Sequence, residues 1–191
     1  MRFLLALIFA LLGLVIAGSA QQGAEHSMPT GKAFITQAAQ INLAEIELGN
    51  LAEQKANDQA VKEFGKLMVQ DHTQAQDKLK QLASKEDVTL PMQAGAQANE
   101  LKQRLSSESG AQFDEMYIRH MLSGHKQAIA TFENEVAQGK NSAIQNYAES
   151  CLPVIQDHIR VAENVAGKMG LSGKNGLSQP DKAITMTVAR K

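Results

Sequence analysis

The chain reads as an all-α protein, a four-helix bundle built from two helical hairpins, and three observations predict it. From about Lys32 onward apolar residues recur every three or four positions, with almost no strand-like alternation. Breaker residues interrupt that rhythm at only a few places, chiefly Asn57-Asp58, Asp87 to Gly95 and Gly139. Short matches also link the two halves. Val61-Lys62-Glu63-Phe64 pairs with Ile144-Gln145-Asn146-Tyr147 at an offset of 83, and Gln70-Asp71-His72 pairs with Gln156-Asp157-His158 at an offset of 86. Duplicated hairpins of this kind close a bundle.

The first helix is expected from about Lys32 to Ala56, with Phe34, Ala38, Ile41, Leu48 and Ala52 along one face. Asn57 or Asp58 caps the second, whose apolar stripe is Val61, Phe64, Met68, Ala75, Leu79 and Leu82. After the break at Asp87 to Gly95, residues Ala98 to Leu105 form a short extra helix in the crossover. Ser109-Gly110 opens the next long helix, marked by Phe113, Tyr117, Met121, Ala128, Phe132 and Val136 and stopped at Gly139. Asn141 or Ser142 starts the last, with Gln145 placed for a capping box around Ser142. Its stripe runs Ile144, Tyr147, Cys151, Ile155, Ile159, Ala162 and Val165. Three extra residues separate Tyr147 from Gln156, and Pro153 lies among them, which predicts a kink or bulge near Cys151 to Pro153.

The domain therefore spans 32–170. Before it, Arg2 is followed by the apolar run Phe3 to Ala17 and by Gly18-Ser19-Ala20, the layout of a signal peptide over 1–20 cleaved after Ala20. The run falls short of the ~20 apolar residues that span a bilayer. Residues 21–31 read as a flexible lead-in and 171–191 as a flexible tail. Removing the leader takes away one Arg and no acid, leaving 18 basic against 20 acidic residues, a mature charge of -2. No second segment is apolar enough to cross a membrane, so a secreted protein, most simply a periplasmic one, is expected.

Composition excludes several functions. The balanced charge lacks the basic footprint of a nucleic-acid binder. One cysteine in 191 residues builds neither a disulfide framework nor a Cys-rich zinc module. The glycines at 170, 173 and 176 follow no strand and make no phosphate loop. Cys151, on an apolar stripe beside Pro153, reads as a core residue rather than a nucleophile. Protein partners are left open.

Four histidines fall in the helices, namely His72, His120, His125 and His158, while His26 lies in the lead-in. At 1.5 Å per residue, Glu45, His72, His125 and His158 all stand roughly 18 to 27 Å from a helix turn, and mid-helix groups share a level however the helices run. His72 continues the row Phe64-Met68, His125 the row Tyr117-Met121, and His158 lies between Ile155 and Ala162. Glu45 sits between Ile41 and Leu48, whereas His120 is five residues from His125 and shares its face poorly. One carboxylate and three imidazoles in a central layer are the ingredients of a metal site in a bundle, so Glu45, His72, His125 and His158 are the candidate ligands. Asp71, Tyr117, Met68 and Met121 stand behind them, and the sulfurs of Met68, Met121 and Cys151 would tilt the preference among copper, iron and zinc toward copper. Glu-x-x-His pairs, which a di-iron carboxylate centre needs, are missing from the second and last long helices.

Over about Phe34 to Ala166 the chain resembles the bacterial secreted family catalogued as domain of unknown function 4142, often labelled outer-membrane proteins and grouped with ferritin-like bundles. The resemblance rests on Ala44-Glu45-Ile46-Glu47-Leu48-Gly49 with Leu51-Ala52, and on Val61-Lys62-x-Phe64 followed by Met68-Val69-Gln70-Asp71-His72. Phe113-Asp114-x-x-Tyr117 and Leu152-Pro153 followed by His158 complete it. It implies a ferritin-like fold and supports Glu45, Asp71, His72, Tyr117, His125 and His158, though not His120. Many relatives carry an acid before the third histidine, where this chain has Gly124. A chain without barrel-like strands does not fit the outer-membrane label.

Two functions follow. One is a non-catalytic periplasmic bundle serving envelope or stress physiology. The other is a bundle that binds copper, iron or zinc through Glu45, His72, His125 and His158. An oxidase is disfavoured by the missing Glu-x-x-His pairs, so the reading leans away from an enzyme.

Overall fold

The computed structural model describes residues 28–171. The proposed leader, His26 and all but the first residue of the tail lie outside the described residues. Five helices and no strand occur among the described residues: α1 Lys32–Lys55, α2 Gln59–Lys85, α3 Ala96–Ser107, α4 Gly110–Gln138 and α5 Ser142–Lys168. The expected all-α, four-helix bundle is therefore present, with α3 as the extra helix in the crossover.

Side-chain to backbone bonds at the helix ends define the topology. The Glu135 carboxylate near the end of α4 accepts from the amide of Gly31, just before α1. At the opposite end the Asp114 carboxylate, early in α4, accepts from the amides of Asn57 and Asp58 between α1 and α2. α1 and α4 are thus antiparallel. Asn141, which caps α5, also bonds Glu86 at the end of α2, so α2 and α5 are antiparallel too. The four long helices close a ring in the order α1, α2, α5, α4, and the segment carrying α3 climbs the α1–α4 side to return the chain to the far end. One long crossover between two hairpins is compatible with the ferritin-like class.

Local chemistry explains the starts and stops. The side chain of Asp58 accepts from the amide of Ala60 and caps α2. At α5 the cap is Asn141, whose side chain accepts from Ala143 and Ile144. The capping box expected around Ser142 does not form, because Gln145 turns instead to donate to the carbonyl of Val136 on α4. Where α1 and α2 cross, Gly49 and Gly65 face each other so closely that a Cβ on either would stand 2.7 to 2.8 Å from the carbonyl oxygen of the other. Both hairpin helices need a residue without a side chain there.

α5 runs as unbroken α-helix through Pro153, with no π turn, so of the kink or bulge expected there the bulge is not formed. Glu149, whose carbonyl loses its partner to the proline, is exposed and can bond water. Three additional residues are also close to one helical turn, so they move His158 along α5 without needing a bulge.

The core divides into two apolar clusters. One, around the α1–α2 turn, holds Leu48, Phe64, Met68, Phe113, Tyr117, Met121 and Val165. The other, around the α4–α5 turn, holds Phe34, Ile35, Leu79, Phe132, Ile144, Tyr147 and Ile155. Between them lies a buried polar layer, with Asn42, Glu45, His72, Gln76, His125 and His158 each at most 7% exposed.

Candidate metal centre

Each of three long helices brings one imidazole to this layer. Nitrogens of His72 on α2, His125 on α4 and His158 on α5 all lie within 4.8 Å of one another. The sequence expectation of a shared level is met for these three side chains.

Their hydrogen bonds fix which nitrogen of each ring faces inward. Nδ1 of His125 is 2.9 Å from the carbonyl oxygen of Met121, which can only accept, so Nδ1 carries the proton and Nε2 the lone pair. His158 Nε2 is 3.0 Å from Asp71 Oδ2 and donates to that carboxylate, leaving Nδ1 as its lone-pair nitrogen. The third ring is set by a relay. Tyr147 donates its hydroxyl to the carbonyl of Ala75, and Asn42 Nδ2 reaches Tyr147 Oη and Gln76 Oε1. That orients the amide so that Asn42 Oδ1 faces His72 Nδ1 at 3.0 Å and accepts its proton. His72 Nε2, the remaining lone pair, is buried with no hydrogen-bond partner in the protein.

Three neutral rings in these tautomers leave lone pairs on His72 Nε2, His125 Nε2 and His158 Nδ1. His125 Nε2 and His158 Nδ1 stand 3.1 Å apart. Two unprotonated nitrogens at that distance repel unless a cation lies between or beside them. Burial keeps protons off: it lowers His125 to about 3 and depresses His72 well below 6.5, with the neighbouring imidazoles adding to both. His158 is lowered by burial too, against the opposing pull of Asp71.

Glu45 takes a different place. Its Oε1 lies 4.0 Å from His125 Nδ1, the outer nitrogen of that ring, and its Oε2 is buried without a partner. Glu45 does not join the three-histidine group. Burial raises its carboxyl to about 8. Asp71 touches the site through His158 rather than directly. Tyr117, Met68 and Met121 are fully buried in the apolar cluster beneath the layer, and Met121 contributes its carbonyl. The Tyr117 hydroxyl is buried without a partner. Burial raises its pKa, with Glu45 and Glu53 adding to the shift. His120 stays outside the group, its Nε2 beside Gly124. Burial, with Arg104 nearby, lowers it to about 4. Sequence reasoning missed Asn42 and Gln76. The available signal was a polar residue interrupting an apolar stripe, Asn42 one turn before Glu45 and Gln76 one turn after His72.

A cavity of about 110 Å³ adjoins the three imidazoles. Ile41, Ala128, Phe132 and Ile155 form its apolar wall, and exposed Lys78, Ser150 and Val154 border its mouth between α2 and α5.

The family signature described as a domain of unknown function matches residues 17–165. No curated protein matches the chain. Among solved structures it is similar to a Streptomyces coelicolor chain described as a secreted protein of domain of unknown function 305. The two share 12% identity with a TM-score of 0.61, over 73% of this chain and 92% of that one. At that identity the likeness speaks for the helical fold alone. Among the described residues no helix is long and apolar enough to cross a membrane.

Proposed function

The chain belongs to the family described as Domain of unknown function (DUF4142), and since that description assigns no chemistry we propose the function from the site: a secreted bundle that binds one transition-metal ion through His72, His125 and His158. One observation carries this reading. All three rings donate their outer N–H to an oxygen, from an amide, a backbone carbonyl and a carboxylate, while nitrogens of the three lie within 4.8 Å of one another. That is how metal-binding histidines are held, since the outer bond fixes tautomer and ring orientation. A bundle serving only envelope physiology would not need three matched tautomers in its core.

Of copper, iron and zinc, a nitrogen-only set favours copper and zinc, because oxygen-activating iron sites in bundles draw on carboxylates. Glu45 supports the site from behind His125 rather than as a fourth ligand. Asp71 supplies a negative charge behind His158, partly offsetting that of the ion. With the leader over 1–20 removed, the protein would work in the periplasm as a binding protein rather than an enzyme.

The test is calorimetric titration of the protein with Zn²⁺ and Cu²⁺. One ion per chain is expected, with binding lost in His72→Ala and in His158→Ala. Absence of stoichiometric binding, or affinity unchanged in both variants, overturns the reading.

A further inference from the structure

Resting on the reading of the three histidines as a metal site, we propose that the adjoining cavity is a ligand chamber, in which the bound metal takes a small monoanion. Three protein nitrogens leave a four-coordinate ion one position short. No other histidine, cysteine or carboxylate ligand atom joins the group among the described residues. A fourth position held open is the arrangement that accepts water or an exogenous ligand. His72, His125 and His158 all line the cavity, so they form its wall and an ion on them faces into it.

Charge selects the occupant. The ionisable carboxylates and ammonium on the cavity are Glu45, Asp71 and Lys78. At their formal charges they sum to one negative, which leaves a divalent ion with one uncompensated positive charge. If Glu45 holds its proton the excess is larger, so an anion is favoured in either state. Behind the opening the walls are apolar and offer little competing hydration, which strengthens the attraction of the ion for a partner. Lys78 at the mouth adds a positive potential on the path inward.

Size selects further. A cavity of about 110 Å³ holds several water-sized groups. Hydroxide, azide, cyanide or nitrite fits beside the ion, whereas a nucleotide or sugar does not. Val154, 42% exposed, stands at the mouth, and Ala128, 7% exposed, stands on the inner wall.

Cobalt(II) in place of the native ion, titrated with sodium azide and followed by its visible spectrum, tests the proposal. A saturable spectral change is expected in the unmodified protein. In Ala128→Leu, which fills the chamber, cobalt should still bind while azide affinity falls at least about tenfold through steric exclusion. Val154→Trp alters only the partly exposed mouth and should slow the appearance of the azide spectrum, followed by stopped-flow mixing, by a similar factor, which keeps the test intact if Ala128→Leu does not fold. Cobalt bound with a spectrum unmoved by azide, azide affinity unchanged in folded Ala128→Leu, or an azide entry rate unchanged in Val154→Trp overturns the chamber and leaves the metal site standing. Failure to bind cobalt, zinc or copper overturns both.

Discussion

His125 Nε2 and His158 Nδ1 lie 3.1 Å apart in the buried centre of the bundle, and the outer nitrogen of each ring already donates to an oxygen, on Met121 and Asp71 respectively. Two lone pairs face each other across that gap. A proton or a metal ion relieves the contact, and burial makes the proton a poor competitor. Asp71 is the accessible handle on this arrangement, since its side chain is 26% exposed and can be changed with little damage to the core.

Asp71→Ala should therefore weaken metal binding without unfolding the protein. Loss of a carboxylate behind a ligating histidine costs about 10- to 100-fold in metal affinity. Competition against a chromophoric chelator measures this directly. Unchanged affinity in Asp71→Ala would mean that the Asp71–His158 bond is unrelated to metal binding.

Stability of the metal-free protein should peak at about pH 7. His125 is held down at about 3 and His120 at about 4, and His72 and His158 are lowered as well. An unfolded imidazole binds a proton below about 6.5. In that range the unfolded chain holds more protons than the folded one, so stability present above 6.5 is lost as pH falls toward these depressed values. Glu45 acts with the opposite sign. Its folded carboxyl keeps a proton up to about 8, whereas the unfolded one releases it from 4.5 upward, so its contribution is lost as pH rises through 8. At 6.5 the four half-protonated unfolded imidazoles still outweigh the one carboxyl, and the balance passes to Glu45 only above about 7. Thermal melts from pH 4 to 9 should show this maximum, and Glu45→Gln should flatten its alkaline side.

The helices and their common level were legible because both depend on local periodicity and on counting residues from a turn. Phe64, Met68 and His72 share a face by spacing alone, and the mid-helix arithmetic brought His72, His125 and His158 together correctly. The tautomers were not legible. That of His72 depends on Asn42, Gln76 and Tyr147, which come from three helices, and that of His158 on Asp71 of α2, groups that meet only after packing. Glu45 illustrates the same limit, since period and height placed it in the layer but did not say on which side of His125 its carboxylate would lie. The bulge expected at Pro153 did not allow for the stranded carbonyl belonging to an exposed residue, Glu149. Asn141 prevailed over Ser142 because Gln145 found a bond on α4 that no local motif contains.

Gly65→Ala should destabilise the bundle by about 1–3 kcal/mol, the usual cost of overpacking a close contact. The added Cβ would meet the Ala52 Cβ and the Gly49 carbonyl oxygen, each at 2.8 Å. Neither is the flexible end of a long side chain, so α1 and α2 must separate. Thermal denaturation should show a lowered midpoint. An unchanged midpoint would show that the two helices can part at this crossing without losing the contacts around it.

Asp114→Ala tests buried hydrogen bonding rather than packing. This residue is 2% exposed, and its two carboxylate oxygens accept from the amides of Asn57 at 3.0 Å and Asp58 at 2.8 Å. Those amides belong to the turn that joins α1 to α2, so one side chain of α4 holds the first hairpin against the second. Removing it strands two donors in a partly buried turn and should cost about 1–3 kcal/mol. Asp114→Asn keeps one acceptor and should cost less. Urea denaturation is the suitable measurement, with a lower midpoint and an unchanged slope expected. Metal affinity should stay at the unmodified level, because Asp114 lies in the turn-end region beyond the Tyr117–Met121 layer rather than among the histidines. A loss of metal binding in a folded Asp114→Ala protein would instead show that the hairpin junction and the histidine layer are coupled along α4.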